Sequence, residues 1–176
     1  MARRRHEGTP LVYLDACVFL DLIVKNENDL HRDTGEVRWK SARLVLDAVE
    51  AGKIRLAASA LLEAEVLANG ATRRRLRTSE KVVAGLRAWF TSPETRWTDV
   101  DRFLASDAAK IAASCEGMSA DAGMSLRGAD AVHVAAAVRL KADYLMTHDG
   151  GYPIGHKVED TQIIRPTRVW NPDLFE

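Results

Sequence analysis

The feature that most constrains the fold is an alternation of short apolar runs with longer segments of helical periodicity. The apolar runs lie at 11–15, 53–59, 142–148 and 161–166, and each has the length of a buried strand. Parallel strands require long crossover connections, which helices usually supply. The order strand, helices, strand, helices, strand, helices, strand therefore predicts an α/β fold of three layers, in which helices cover both faces of a central, mostly parallel, twisted sheet.

The segments between the runs carry the usual signals for helix ends. Ser59 is an N-cap residue before SALLEAEVLANG, while Gly70 and Gly52 are placed to end helices. Polar, glycine-containing stretches at 25–35 and 116–128 predict loops. The expected helices begin at 16 after the first strand and cover 37–51, 59–70, 72–90, 101–115 and 130–140, and 96–100 is a candidate short strand.

Length and composition predict one ordinary globular domain over 1–176, with its core at about 11–165 and residues 1–9 as a flexible tail. The chain has 176 residues, 47% of them hydrophobic, and its 25 basic residues balance 25 acidic ones. Two distant cysteines, Cys17 and Cys115, favour a reducing, cytoplasmic setting over a disulfide framework. No apolar stretch approaches a membrane span, and no GxxxxGK[ST] loop for ATP is present.

Asp15 interrupts the first apolar run, LVYLDACVFL. Burial of an ionised carboxylate costs on the order of several kcal/mol unless the group is paired, hydrogen-bonded or bound to a metal. A structural role remains open at this point, because an aspartate at the end of a strand can cap the next helix or start a turn.

Three further carboxylates fall near the same edge of the predicted sheet. Asp149 follows the strand YLMTH, Glu65 lies in the helix after 53–59, and Asp130 opens the helix DAVHVAAA. The carboxyl ends of parallel strands form the usual ligand site of open α/β sheets. Clustered carboxylates repel one another, and a divalent cation removes that conflict. Oxygen ligands without cysteine suit Mg²⁺ or Mn²⁺, and phosphoester hydrolysis is the matching chemistry.

These residues carry a resemblance to PIN-domain ribonucleases, in particular to VapC-like toxins of bacterial toxin–antitoxin pairs. Four blocks resemble the family motifs in order: LVYLDACVFL, SALLEAEVLANG, GADAVHVAAA and THDGGY. The resemblance implies a PIN-like fold and a Mg²⁺- or Mn²⁺-dependent endoribonuclease. It also implies a homodimer that a cognate antitoxin inhibits. The implied catalytic metal ligands are Asp15, Glu65, Asp130 and Asp149, with the Thr147 hydroxyl in support.

Several alternatives stay open on sequence grounds. Glu63 could replace Glu65, since residues two apart on a helix point about 200° apart and only one can face the site. The chain could instead be a PIN-like module that binds RNA or protein without cutting. An Asp15-nucleophile phosphatase of the haloacid-dehalogenase type is disfavoured, because Cys17 stands where that family has a second aspartate.

Four arginines and two histidines are further candidates for a role at the site or in RNA binding. The arginines of ATRRRLRT could contact RNA phosphates, although a run of charge is more often a solvated helix face. His133 follows Asp130 by one helical turn and is interpreted as a packed core residue outside the ligand set. His148 is a candidate substrate contact or proton carrier, although its neighbour Asp149 faces the opposite way on a strand. The arginines concerned are Arg73, Arg74, Arg75 and Arg77.

Overall fold

A computed structural model describes residues 8–76 and 80–166, which contain one six-stranded sheet and seven helices. The strands are β1 (Leu11–Leu14), β2 (Arg55–Ser59), β3 (Arg96–Thr98), β4 (Tyr144–Met146), β5 (Lys157–Val158) and β6 (Thr161–Ile164). The helices are α1 (Ala16–Val24), α2 (Arg38–Glu50), α3 (Ala60–Ala68), α4 (Gly70–Leu76), α5 (Glu80–Thr91), α6 (Arg102–Ser114) and α7 (Ala129–Arg139).

The sheet is mostly parallel, with strand order β3-β2-β1-β4-β6-β5. Strand β1 pairs in parallel with both β2 and β4, and only the β5–β6 pair is antiparallel. The chain leaves β1 towards β2 on one side and leaves β4 towards β6 on the other. The strand order therefore reverses between β1 and β4, and a crevice forms there beyond the carboxyl ends of these two strands.

The central strands are covered on both faces. All four residues of β1 are buried, as are Leu145 and Met146 of β4. A strand that is buried on both faces lacks polar alternation, which explains why LVYL is a continuous apolar run. These observations confirm the predicted three-layer α/β/α fold. No helix in the described part of the chain is long and apolar enough to cross a membrane.

The structure differs from the sequence prediction at two helix boundaries and in one strand. Gly70 does not end the helix after β2, because the backbone of Asn69 is extended (φ −60°, ψ 138°) and Gly70 begins α4. The single helix expected over 72–90 corresponds to parts of α4 and α5, with 77–79 outside the described residues. The two-residue strand β5 was not predicted, since two residues show no periodicity. Residues 1–7 of the expected flexible tail also lie outside the described part.

Replacement of a core leucine tests the packing of the central strand. Leu145→Ala removes a fully buried side chain from β4, and we expect a loss of about 2–5 kcal/mol in the free energy of unfolding. Leu44→Ala is the matched control, because Leu44 on α2 is 51% exposed; its cost should stay within about 0.5 kcal/mol. Urea denaturation measures both, and equal losses would contradict the described core.

Candidate metal centre

Asp15 lies directly at the carboxyl end of β1 and is only 6% exposed. Its backbone N–H donates to the carbonyl oxygen of Met146 (3.0 Å), so that the β1–β4 pairing fixes its position. It is also the N-cap residue of α1, where its Oδ1 accepts the N–H of Ala16 (2.7 Å). Its Oδ2 accepts the Thr147 hydroxyl (2.8 Å) and the Cys17 thiol (3.1 Å). Asp15 therefore caps a helix and also faces the crevice, and its hydrogen-bond donors are all neutral groups.

Thr147 links the carboxylate of Asp15 to the backbone of Asp149. Its hydroxyl donates to Asp15 and accepts the backbone N–H of Asp149 (3.0 Å). Oδ1 of Asp149 accepts the N–H of Gly151 (2.8 Å), within the turn that leaves β4. Gly150 has no room for a side chain, because a Cβ there would overlap Asp121. The Gly-Gly turn thus sets the path of the chain directly after Asp149.

Glu65 reaches the same place from α3. Ser59 begins this helix as predicted, with its Oγ accepting the N–H of Leu62 (3.2 Å). Oε2 of Glu65 lies 2.7 Å from Nε2 of His133 on α7, and the same nitrogen lies 3.8 Å from Oδ1 of Asp15. One ligand atom from each of these three residues lies within 4.8 Å of the other two. The geometry favours Glu65 over Glu63 as the residue that faces the cluster.

Asp130 joins the cluster from the first turn of α7. Burial and, to a smaller extent, the negative charges of Asp149, Asp15 and Glu65 together raise the pKa of its carboxyl to about 6, although His133 acts to lower it. Asp130 therefore senses the charges of the other three predicted residues, whereas the described residues whose ligand atoms lie within 4.8 Å of one another are Asp15, Glu65 and His133. In the described part of the chain, neither lysine nor arginine forms an ion pair with any of the four carboxylates.

The donor set of this cluster fits a hard divalent cation. Among residues 8–76 and 80–166 it offers four carboxylates and the Thr147 hydroxyl, with a single imidazole close by and no Lys or Arg partner. Carboxylate oxygen is the preferred ligand of Mg²⁺ and Mn²⁺.

His133 is the member of this region that the sequence prediction left outside the site. The interpretation of His133 as a buried, hydrogen-bonded residue agrees with its contacts, since it is 1% exposed and also bonds to the hydroxyl of Tyr13 (2.8 Å). No sequence pattern predicts the bond to Tyr13. The spacing of His133 from Asp130 indicated only that His133 could lie near the site.

The contacts of His148 do not suit a proton carrier. Its ring packs against His31, with centroids 4.6 Å apart, and Nε2 lies 3.2 Å from Oδ2 of Asp21 without hydrogen-bond geometry. Burial lowers its pKa to about 2, with a further contribution from the positive charges nearby. His148 is therefore neutral near pH 7.

A cleft of about 250 Å³ borders Asp149. Three arginines line this cleft and each pairs with an aspartate: Arg32 with Asp121 (2.6 Å), Arg38 with Asp21 (3.0 Å) and Arg165 with Asp33 (3.0 Å). The sequence prediction did not include these arginines, because they form no run of charge. Arginines therefore lie beside the acidic cluster, each with its charge paired to an aspartate.

The arginine run that the sequence did single out is only partly described. Arg73 and Arg74 are exposed on α4, while the side chain of Arg75 and the whole of Arg77 lie outside the described residues.

Comparison with solved structures identifies the fold. The chain is similar to VapBC2 from Rickettsia felis, solved bound to a promoter DNA fragment, with a TM-score of 0.51 and 15% identity over 88% of this chain and 98% of that one. It is also similar to FitAcB from Neisseria gonorrhoeae, with a TM-score of 0.52 and 18% identity over 89% and 98% of the two chains. The chain has the PIN-domain fold. No protein-family model and no curated protein matches this sequence.

Replacement of Asp130 tests the repulsion within the cluster of this PIN-fold chain. The unfolded state releases the Asp130 proton near pH 4, whereas the folded state holds it to about pH 6. Ionised Asp130 therefore destabilises the metal-free fold above pH 6, and the penalty disappears as the pH falls towards 4. Because Asp130 is half-buried and partly screened by solvent, we expect Asp130→Asn to stabilise the protein by about 1 kcal/mol at pH 7.5, or about 2–4 °C.

Thermal unfolding in EDTA at pH 7.5 and pH 4 measures this effect. Glu116→Gln is the control, because Glu116 is exposed and outside the cluster; it should change the unfolding temperature little at either pH. A stabilisation by Asp130→Asn that is equal at both pH values would contradict the electrostatic explanation, as would a loss of stability at pH 7.5.

Proposed function

We propose that this chain is a Mg²⁺- or Mn²⁺-dependent endoribonuclease and the toxin of a toxin–antitoxin pair. The observation that supports the proposal is that ligand atoms of Asp15, Glu65 and His133 lie within 4.8 Å of one another near the switch point of a PIN-fold sheet, while Asp130 senses the charges of Asp15, Glu65 and Asp149. Among the described residues, none of the four carboxylates pairs with a lysine or arginine. An acidic site repels RNA unless a cation stands between them, so a divalent ion would both relieve the repulsion and admit the substrate.

Four carboxylates would hold the ion, namely those of Asp15, Glu65, Asp130 and Asp149. A divalent ion held there supplies a water molecule of lowered pKa and neutralises charge on the phosphoryl oxygens. Thr147 keeps Asp15 and Asp149 in a fixed relation by bonding to both.

Contacts to the RNA backbone are proposed at the arginines beside the site. Arg32 lines the cleft next to Asp149, and its side chain is 72% exposed. An exposed ion pair contributes little to stability, so Arg32 can exchange Asp121 for a phosphate at small cost. The exposed Arg73 and Arg74 of α4 are further candidates, as is the rest of the arginine run.

A cognate antitoxin and a second copy of the chain are the proposed protein partners. Likeness of fold to VapBC2 and FitAcB supports the antitoxin. Exposed apolar side chains on the described surface offer area for a partner, with Phe103 77% exposed at the start of α6. Both cysteines are free thiols, which fits action in the reducing cytoplasm.

Cleavage of a mixed RNA pool by partner-free protein tests the activity. We expect cutting with Mg²⁺ or Mn²⁺ and none in EDTA. Asp15→Asn keeps the size of the side chain and the cap on α1 but weakens a metal ligand. Its activity should fall by at least about 100-fold, which is the upper end of the cost of losing an outer-shell partner of a metal ligand.

Glu116→Gln, purified identically, controls for contaminating nucleases and should retain full activity. Cutting that persists in EDTA, or that Asp15→Asn retains, would contradict the proposal. RNA binding without cutting under every metal condition would instead assign the chain to the non-catalytic modules.

A further inference from the structure

We propose that His133 and Tyr13 are positioning residues, which hold the Glu65 carboxylate in the orientation that binds the divalent ion. The inference rests on the proposed function and adds to it two residues that do not themselves contact the ion. It is carried by a continuous chain of hydrogen bonds, buried except at Glu65, that runs from Ser59 at the start of α3, through β1 and α7, back to Glu65 on α3.

The chain of hydrogen bonds begins at Ser59. Its Oγ accepts the N–H of Leu62 (3.2 Å) and lies 2.7 Å from the hydroxyl of Tyr13. The Tyr13 hydroxyl lies 2.8 Å from Nδ1 of His133, and Nε2 of His133 lies 2.7 Å from Oε2 of Glu65. Ser59 and Tyr13 are fully buried and His133 is 1% exposed, so water does not compete for the bonds among these three residues. The bond to Glu65 is partly buried, since the Glu65 side chain is 34% exposed.

The last contact determines where the imidazole carries its hydrogen. An ionised carboxylate only accepts hydrogen bonds, so at 2.7 Å Nε2 of His133 must carry a hydrogen that it donates to Glu65. In the neutral ring Nδ1 is then an acceptor, and the Tyr13 hydroxyl is its donor. Ser59 in turn donates its hydroxyl hydrogen to the Tyr13 oxygen, so the hydrogen bonds from Ser59 to Glu65 all point in one direction. Tyr13 thus selects the tautomer that can hold Glu65.

This arrangement separates His133 from the ligands of the ion. A nitrogen that binds a cation must present a lone pair, whereas Nε2 uses its hydrogen on Glu65. Outer-shell partners of this kind orient a ligand and raise its affinity for the metal. Glu65 needs such a partner to fix its orientation, because its side chain is 34% exposed and is otherwise less restrained than those of Asp15 and His133.

Mn²⁺ affinity, measured by calorimetry on partner-free protein at a temperature where every variant is folded, tests the proposal. His133→Leu removes the donor to Glu65 and should weaken Mn²⁺ binding by about 10- to 100-fold. Tyr13→Phe leaves His133 in place and should weaken binding in the same direction by a smaller factor. His133→Gln can return an N–H to Glu65 and should recover part of the affinity.

Tyr152→Phe is the matched control. Tyr152 is fully buried and senses the charges of Asp15 and Asp130, but its hydroxyl has no hydrogen-bond partner among the described residues. Its Mn²⁺ affinity should equal that of the wild type. A merely structural role for Tyr13 and His133 would lower the unfolding temperature in EDTA and leave the affinity of the folded protein unchanged.

Two results would overturn the inference alone. The first is wild-type Mn²⁺ affinity in both Tyr13→Phe and His133→Leu, or in Tyr13→Phe if His133→Leu does not fold. The second is an imidazole nitrogen directly bound to the ion, which pulsed electron paramagnetic resonance of the Mn²⁺ complex detects and which would make His133 a ligand. Absence of Mn²⁺ binding by the wild type would overturn the proposed metal-dependent function as well.

Discussion

Negative charge near the carboxyl ends of β1 and β4 is the constraint on which the proposed function depends. The sheet order forces Asp15 and Asp149 together, and α3 and α7 add Glu65 and Asp130. Among the described residues, neutral groups donate hydrogen bonds to Asp15 and Asp149, and no arginine pairs with either. In the proposed function, this arrangement gives up some stability of the metal-free fold in return for the binding of a divalent cation.

The parts of the fold and site that are set by local rules could be predicted from the sequence. Buried parallel strands are continuous apolar runs, and their carboxyl ends meet at one edge of the sheet. Asp15 and Asp149 were therefore predictable as neighbours, although 134 positions separate them in the numbering. The cap at Ser59 and the boundaries of α2 followed from short-range signals in the same way.

The parts that depend on side-chain packing between distant elements could not be predicted. No periodicity indicates that the hydroxyl of Tyr13 meets the ring of His133, because that contact joins a strand and a helix 120 residues apart. Two local features also could not be predicted, because their sequence signal is weak. They are the extended backbone of Asn69, which separates α3 from α4, and the two-residue strand β5. The arginines beside Asp149 come from two distant segments, with Arg32 and Arg38 in one and Arg165 in the other, so no run of charge indicated them.

Anomalous diffraction from crystals soaked in Mn²⁺ tests the central claim most directly, because it locates the ion itself. The account predicts one or two anomalous peaks within ligand distance of Asp15, Glu65, Asp130 and Asp149, with Nε2 of His133 still directed at Glu65. A saturated crystal with no peak in this crevice, or with manganese held only by other carboxylates of the chain, would contradict the account.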